Sequence, residues 1–303
     1  MIGFVIVDKP SGWTSQDVVS RMRKLFGMHD IGHGGTLDPM ATGVLPVFLG
    51  RATRASVYVL EGDKTYAARL RFGVTTDSQD MTGNILSTSP SLPSRETVAA
   101  VLPRFRGNIS QTPPMYSAVQ IGGKRLYELA RKGIEVERPS REVTIHRLEL
   151  LSPDEPSPFG TQPAAGELDL LVTCSKGTYI RTLAADIGDA CGCGAALSGL
   201  RRLNSHGFDI RESYTLDRLA AMKEAGTLET AVCPVDRLFA DLPVLTLDAP
   251  ADARIRRGAP VYLHKKAGKY RLYGINNEFL GIGNVRETDR RPELMIEKGF
   301  FEV

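Results

Sequence analysis

The sequence contains little cysteine. Its 303 residues include 4 cysteines. Cys191 and Cys193 are separated by a single residue, which is too close for an unstrained disulfide, and no second pair stands at zinc-ligand spacing. The cysteines therefore indicate free thiols in a reducing compartment.

Long apolar runs are also missing. No segment approaches the length of about 20 residues that a membrane-spanning helix needs. The apolar run near the N-terminus, residues 1–7, is too short for a signal peptide and is interrupted by Asp8, Lys9 and Pro10. These absences predict a cytoplasmic protein that does not bind a membrane.

The chain carries little net charge. The formal net charge is +3 and the pI is about 8.6, which permits a nucleic-acid partner without requiring one. There is no phosphate-binding GK[ST] loop and no paired metal-ligand motif, so we expect neither a nucleotide cofactor nor a metal. A length of 303 residues predicts more than one domain.

One stretch stands out against this ordinary background. Residues 32–46 read GHGGTLDPMATGVLP, with four glycines and two prolines. Glycine permits backbone conformations that other residues avoid, and proline fixes φ and removes a donor, so the run predicts a tightly shaped loop. The loop presents one carboxylate, Asp38, for which a structural turn and a functional site are both open interpretations.

Three periodic segments frame that loop. Residues 64–73 alternate as in a half-buried strand, in which Tyr66 is by composition alone a core aromatic. Ser15 predicts the N-cap of a helix. Residues 168–174 predict a strand that leads into a helix starting near Ile180, so Arg181 lies at the junction, where it could equally form an ordinary surface ion pair.

These residues are arranged as in a known family. The motif Gly35-Thr36-Leu37-Asp38-Pro39, the Lys-x-Tyr strand ending at Tyr66, the run 177–181 (GTYIR) and the run 200–203 (LRRL) closely resemble the bacterial type of the TruB family of tRNA pseudouridine-55 synthases. The resemblance implies that Asp38 is the catalytic carboxylate, that Tyr66 stacks on the target base, and that Arg181 pairs with Asp38. Tyr179 and Leu200 would line the base pocket.

The same resemblance implies RNA contacts. His33 would pack into the RNA loop beside the displaced nucleotide, although a lone His beside glycines is commonly a surface or hydrogen-bonding residue. The implied substrate- and RNA-binding set is His33, Tyr179, Leu200, Arg202, Lys9, Lys124, Arg125, Arg256 and Arg257. Arg202 would meet RNA or support the site. Gln120 stands where the family usually has Lys, and Leu203 where it more often has Thr or Ser.

The implied architecture is α+β. We expect a catalytic domain over residues 1–240 around a mixed, largely antiparallel sheet, with an RNA-gripping insertion at about 108–140. Residues 241–303 would form a small β-rich, PUA-like RNA-binding domain. The basic clusters near Arg256 and His264 agree with phosphate contacts, although a merely solvated basic face is the alternative.

The implied activity is the isomerisation of a T-arm uridine, position 55 of tRNA, to pseudouridine by way of a flipped-out base. We expect a monomer with tRNA as its partner and no cofactor or metal. The alternatives are an RNA-guided synthase subunit, a non-catalytic tRNA-binding or tRNA-folding protein, and an α/β enzyme acting on a small molecule. The plain start of the chain, without a basic tail, favours the stand-alone synthase.

Overall fold

The structure, a computed structural model, describes residues 1–117, 119–289 and 291–301. Ala118 of the expected insertion, together with Arg290, Glu302 and Val303 of the expected C-terminal domain, lies outside the described residues.

The elements follow one another along the described chain. The strands are β1 (Gly3–Lys9), β2 (Ile31–His33), β3 (Thr42–Leu49), β4 (Lys64–Phe72), β5 (Val74–Thr76), β6 (Ile85–Thr88), β7 (Gly107–Gln111), β8 (Gln120–Ile121), β9 (Lys124–Arg125), β10 (Arg141–Leu150), β11 (Glu167–Cys174), β12 (Ala195–Ser205), β13 (Phe208–Asp209), β14 (Val244–Thr246), β15 (Val261–Tyr262), β16 (Gly268–Tyr273), β17 (Phe279–Arg286) and β18 (Glu293–Gly299). The α-helices are α1 (Ser15–Phe26), α2 (Ser56–Glu61), α3 (Arg95–Val101), α4 (Leu126–Ala130), α5 (Ile180–Ala190), α6 (Leu216–Glu224) and α7 (Ala249–Arg256). Short 3₁₀ helices cover Gly50–Ala55, Leu102–Phe105, Ile210–Glu212, Leu228–Ala231 and Val235–Phe239.

A large mixed sheet forms the body of the first domain. Within the described residues it has nine strands, with the path β1-β3-β12-β4-β11-β10-β7, while β2 pairs with β3 and β13 with β12. All these pairs are antiparallel except β3 with β12, which is parallel. The prediction of a mixed, largely antiparallel sheet is confirmed.

Strand β4 lies in the middle of that sheet. Its alternation is as predicted, and Ala68, Leu70 and Phe72 pack on one face with residues of α5. The prediction that the strand is half-buried is wrong, because the opposite face is also covered. There Arg69 is only 8% exposed, and its guanidinium binds Asp169 at 2.7 Å. The loop over residues 151–166 covers this pair through Ser157 and Thr161.

Helix α1 begins with a capping box rather than with the predicted N-cap. Thr14 is the N-cap, because its hydroxyl accepts from the Asp17 amide while the Asp17 carboxylate accepts from the Thr14 amide. Ser15 is therefore the first helical residue and is buried. Its hydroxyl is free to bind another segment, as described below.

The expected insertion consists of a small hairpin and a helix. Strands β8 and β9 pair with each other and lead directly into α4. We call residues 112–117 and 119–140 the thumb. It leaves the sheet at the end of β7 and returns at the start of β10, so both of its ends are anchored on neighbouring strands.

The C-terminal segment forms a second sheet with the path β14-β16-β17-β18-β15. An aromatic cluster connects it to the first domain, since the Phe239 ring lies 6.2 Å from that of Phe279 and 6.1 Å from that of Phe300. A β-rich C-terminal domain is thus confirmed. None of the helices in the described parts of the chain is long and apolar enough to cross a membrane.

Candidate active site

The loop that carries Asp38 is held by residues at and just after the end of β1. Lys9 is fully buried, and its ammonium donates to the carbonyls of Pro10 at 2.9 Å, Trp13 at 2.5 Å and Pro39 at 3.2 Å. The Gly12 amide also donates to the Pro39 carbonyl at 2.8 Å. The residue that follows Asp38 is therefore fixed by two donors from another segment.

Helix α1 holds the other side of the loop. The Leu37 amide donates to the Ser15 hydroxyl at 2.9 Å, and this hydroxyl lies 3.3 Å from the Leu37 carbonyl. The Leu37 and Ala41 side chains enter the main hydrophobic cluster, with exposures of 4% and 0%. Asp38 thus stands between two buried anchors, which is how a loop is made rigid.

Arg202 on β12 supports the first part of the loop. It is 2% exposed, and its guanidinium donates to the carbonyls of Val44 at 2.7 Å, Thr36 at 3.4 Å and Gly35 at 3.5 Å. The backbones of β3 and β12 approach so closely that a Cβ on Gly43 would lie 2.2 Å from the Arg202 carbonyl oxygen.

Asp38 forms the central ion pair. Its Oδ2 lies 2.9 Å from Nε of Arg181, which is on the first turn of α5 and whose side chain is 6% exposed. The other guanidinium nitrogens donate to the carbonyl of Ser78 at 3.2 Å and that of Tyr116 at 2.8 Å. One Arg therefore joins the Asp38 loop, the loop after β5 and the thumb.

Opposing effects set the charge of Asp38. Its burial in the cleft raises the pKa of the carboxyl above its ordinary value and is the largest effect. The Arg181 charge lowers the pKa, the Asp80 charge raises it, and the hydrogen bond from Arg181 and the Lys9 charge lower it. Asp38 is thus a carboxylate whose ionisation depends on Arg181.

Asp80 is a site residue that the sequence analysis did not identify. It is 5% exposed, and its Oδ2 lies 3.9 Å from Nη1 of Arg181. Its other carboxylate oxygen accepts from the hydroxyl of Ser78 at 2.8 Å and from the amide of Thr82 at 2.9 Å. No local sequence pattern showed that the 77–84 loop meets α5.

Asp38 and Arg181 open into a cleft of about 680 Å³. Its walls come from the Asp38 loop, the 77–84 loop and the thumb, which contributes Tyr116, Ser117, Tyr127 and Arg131. A larger concavity of about 850 Å³ lies between α1 and α6. We place the site in the smaller cleft, because Asp38 and Arg181 line it and neither lines the larger one.

The predicted pocket residues do not line this cleft and lie in different settings. Tyr66 packs on the main cluster beside Arg202, and its burial raises the pKa of its hydroxyl. Leu200 is 7% exposed in the same cluster. The Arg141 guanidinium lies over the Tyr179 ring, 5.8 Å from the centre of that ring. His33 lies on β2, where burial lowers its pKa.

Two predicted RNA contacts are corrected by the structure. Lys9 is fully buried and Arg202 is 2% exposed, and both bind backbone carbonyls of the Asp38 loop or its neighbours. Neither has an exposed cationic group to offer an RNA phosphate. We therefore assign both to positioning the loop, which for Arg202 is the second of the two predicted alternatives.

The remaining predicted contacts lie away from the cleft. Lys124 and Arg125 are exposed on the hairpin of the thumb. In the C-terminal domain Arg257 is exposed, whereas Arg256 is paired with both Asp252 and Glu278 and lies over the Phe301 ring. Arg256 is therefore the less available of the two for an external phosphate.

Comparison with solved structures places the fold. The chain is similar to a structure described as a crystal structure of a Cbf5-Nop10-Gar1 complex, with a TM-score of 0.69 and 26% identity. The similarity covers 99% of this chain and 85% of that one. A second structure, described as H/ACA RNP bound to a substrate RNA containing 2'-deoxyuridine, has a TM-score of 0.69 at 23% identity and supports the fold alone.

Sequence comparison gives the family. Residues 23–180 match the model of the TruB family pseudouridylate synthase N-terminal domain, and residues 181–240 and 243–293 match two models of TruB C-terminal domains. A tRNA pseudouridine synthase B of Dechloromonas aromatica (strain RCB) is 47% identical over 93% of this chain and 90% of that protein. One of Trichormus variabilis is 42% identical over 98% of this chain and 99% of that protein. The chain therefore belongs to the TruB family of pseudouridylate synthases, as its motifs had indicated.

Proposed function

We propose that this protein is a tRNA pseudouridine synthase that isomerises the T-arm uridine at position 55. The observation that carries the proposal is the Asp38–Arg181 pair at 2.9 Å, held in a cleft by a loop that is anchored on both sides. Relatives named tRNA pseudouridine synthase B, 40–47% identical over at least 93% of this chain, support tRNA as the substrate.

The reaction moves ribose C1′ from one atom of uracil to another. The bond from C1′ to N1 breaks, the base turns, and a bond from C1′ to C5 forms. C5 then gives up its proton and N1 gains one, so the composition of the nucleotide is unchanged. The protein must present a reactive group to one face of the nucleotide and keep water away from the detached base.

Asp38 is the group proposed to act on the nucleotide. As a nucleophile or as a base it must be ionised, and in both roles the Arg181 guanidinium keeps the carboxylate charged and oriented. Lys9 and Arg202 fix the loop backbone, so that the carboxylate does not have to be reoriented when the substrate binds. No cofactor or metal takes part in the proposed reaction.

Other residues would hold the flipped base and its RNA. We propose that Tyr66 stacks on the base, with Tyr179 and Leu200 completing the pocket and His33 filling the space the nucleotide leaves. Lys124 and Arg125 on the thumb would bind phosphates, since both are exposed cations on a segment that overhangs the cleft.

We further propose the domain assignment that accompanies this function. Residues 1–240 would be the catalytic domain, with the thumb within about 108–140, and residues 241–303 a PUA-like RNA-binding domain. The family-model boundary near residue 240 supports this division. Arg257 is its favoured RNA contact. The working protein would be a cytoplasmic monomer.

A second candidate is an RNA-guided synthase subunit. The similarity to a chain from a Cbf5-Nop10-Gar1 complex favours this candidate, with 26% sequence identity. The identity to the tRNA pseudouridine synthase B relative is higher, at 47%, and favours the first candidate. A non-catalytic tRNA-folding protein is a third candidate, but binding or folding RNA does not require a carboxylate paired with a buried guanidinium at a cleft.

The test uses purified protein alone with an unmodified tRNA transcript, followed by mapping of pseudouridine along the RNA. We expect one modified uridine, in the T-loop. A transcript with cytidine at that position is the matched control and should remain unmodified. Modification only when a guide RNA is added would favour the second candidate, and tight binding without modification would favour the third.

A further inference from the structure

Gln111 is a buried polar residue with an unusual set of partners. It ends β7, where the thumb begins, and is 1% exposed. Its side-chain oxygen accepts from the Tyr179 amide at 3.0 Å, and its side-chain nitrogen donates to the Tyr179 carbonyl at 3.2 Å. The carboxamide thus bonds the backbone of one residue from both sides, as a neighbouring strand would.

Tyr179 is the residue that starts α5. It occupies the N-cap position, and its side chain makes no capping hydrogen bond. Arg181 follows two residues later, in the first turn of the helix. The direction in which this turn projects Arg181 therefore depends on how the Tyr179 backbone is held.

A second bond joins the same two segments. Nη2 of Arg181 donates to the Tyr116 carbonyl at 2.8 Å, and Tyr116 lies five residues after Gln111 at the root of the thumb. The segment from Gln111 to Tyr116 and the start of α5 are therefore connected twice, once through the Tyr179 backbone and once through the guanidinium that binds Asp38.

We propose that Gln111 is a positioning residue of the catalytic site, which sets the Arg181 guanidinium against Asp38 through the backbone of Tyr179. The inference rests on the proposed synthase activity. Glutamine suits the task because a carboxamide supplies both a donor and an acceptor without a charge. A buried carboxylate could not donate to the Tyr179 carbonyl, and an apolar side chain would leave the Tyr179 amide unpaired.

The proposal predicts a pH effect. The charged and titratable groups around Asp38 are Arg181 on α5, Asp77 and Asp80 on the 77–84 loop, Lys9 on β1, Tyr66 on β4, and Tyr116, Tyr127 and Arg131 on the thumb. Burial raises the pKa of Asp38, and the Arg181 charge is the largest effect that lowers it. If Arg181 shifts away, this lowering effect weakens and the pKa of Asp38 rises. The carboxyl then stays protonated to a higher pH, so the acidic limb of the rate profile moves upward.

The experiment compares Gln111→Met, which keeps the side-chain volume, with Gln111→Ala. Exposed Gln162, which donates to the Glu155 carbonyl at 3.2 Å, provides Gln162→Ala as the matched control. Single-turnover rates are measured on a tRNA transcript from pH 5 to 9, with the Kd for tRNA and the melting temperature of each protein. Each Gln111 variant is also combined with Arg181→Lys.

We expect both Gln111 variants to slow the reaction at pH 6 by about tenfold or more, since a misplacement of about 1 Å can cost about 100-fold in rate. The acidic limb should move to higher pH, with tRNA binding unchanged and little further loss in the Arg181→Lys background. Unchanged rates in Gln111→Met, or a loss that is independent of pH and additive with Arg181→Lys, would overturn the proposal. An inactive wild type would instead refute the proposed function.

Discussion

Gly43 provides a steric test of how the Asp38 loop is anchored. It follows the loop at the start of β3 and has φ = +102°. It pairs with Lys9 on β1 and with Arg202 on β12, so three strands meet at this residue. Replacing it by Ala would bring a Cβ to 2.2 Å from the Arg202 carbonyl oxygen and 2.8 Å from the Arg202 amide nitrogen.

The magnitude follows from two costs. A non-glycine residue in so sparsely populated a backbone conformation costs about 1–3 kcal/mol. A Cβ at 2.2 Å must move about 1 Å from a backbone atom that cannot rotate away, and such overpacking costs a further ~1–3 kcal/mol. We therefore expect Gly43→Ala to destabilise the protein by about 2–6 kcal/mol and to displace Arg202 from the loop carbonyls.

Gly226→Ala is the control for the backbone cost alone. Gly226 has φ = +70° in an exposed turn, and no atom lies within 4 Å of a Cβ placed there. The assay is the melting temperature of both variants together with their single-turnover rates on tRNA. We expect Gly43→Ala to melt several degrees below Gly226→Ala and to be much slower. Equal melting temperatures with full activity in Gly43→Ala would refute the packing argument.

Three further predictions concern charge. Arg181→Lys should slow the reaction by about 100-fold and move the acidic limb of its pH profile to higher pH. The reason is that Lys lacks the planar guanidinium that binds Asp38, Ser78 and Tyr116 together. A pH profile with the wild-type acidic limb would contradict this. Burial lowers the pKa of Lys9 from 10.5 to about 8, so its protonated form is disfavoured in the folded state. Between pH 8 and 10.5 the unfolded chain then binds more protons, and the wild type should gain up to about 3 kcal/mol relative to Lys9→Met, measured by urea unfolding at each pH; a constant difference would contradict it. The double variant Lys124→Glu, Arg125→Glu should weaken tRNA binding and make it less dependent on salt, without changing the rate at saturating tRNA. Lys269→Glu, in the C-terminal domain, is the control and should leave the salt dependence of tRNA binding unchanged.

What could be predicted from the sequence was local or carried by a motif. The glycines and prolines of residues 32–46 indicated a rigid loop, since few backbone shapes suit that composition. The predicted bounds were too wide, because β2 (Ile31–His33) and β3 (Thr42–Leu49) leave only residues 34–41 as the loop. The alternating pattern of residues in β4 predicted the face on which Ala68, Leu70 and Phe72 pack into the hydrophobic core. The pairing of Asp38 with Arg181 came from the family resemblance, because 143 residues separate the two and no periodicity relates them.

What could not be predicted depends on backbone carbonyls as partners. The resemblance implied that Lys9 contacts RNA and that Arg202 contacts RNA or supports the site. In the structure both are buried and bind backbone carbonyl oxygens, which no side-chain pattern reveals. Asp80 and Gln111 were missed because their partners are distant in sequence, Arg181 for Asp80 and the Tyr179 backbone for Gln111.

The central claim is that the Asp38 carboxylate performs the reaction on bound tRNA. The most direct measurement is the single-turnover formation of pseudouridine by Asp38→Asn, alongside its Kd for the same tRNA and its melting temperature. The account predicts no detectable product, with binding and folding close to those of the wild type. Product formation by Asp38→Asn at a rate near that of the wild type would contradict it.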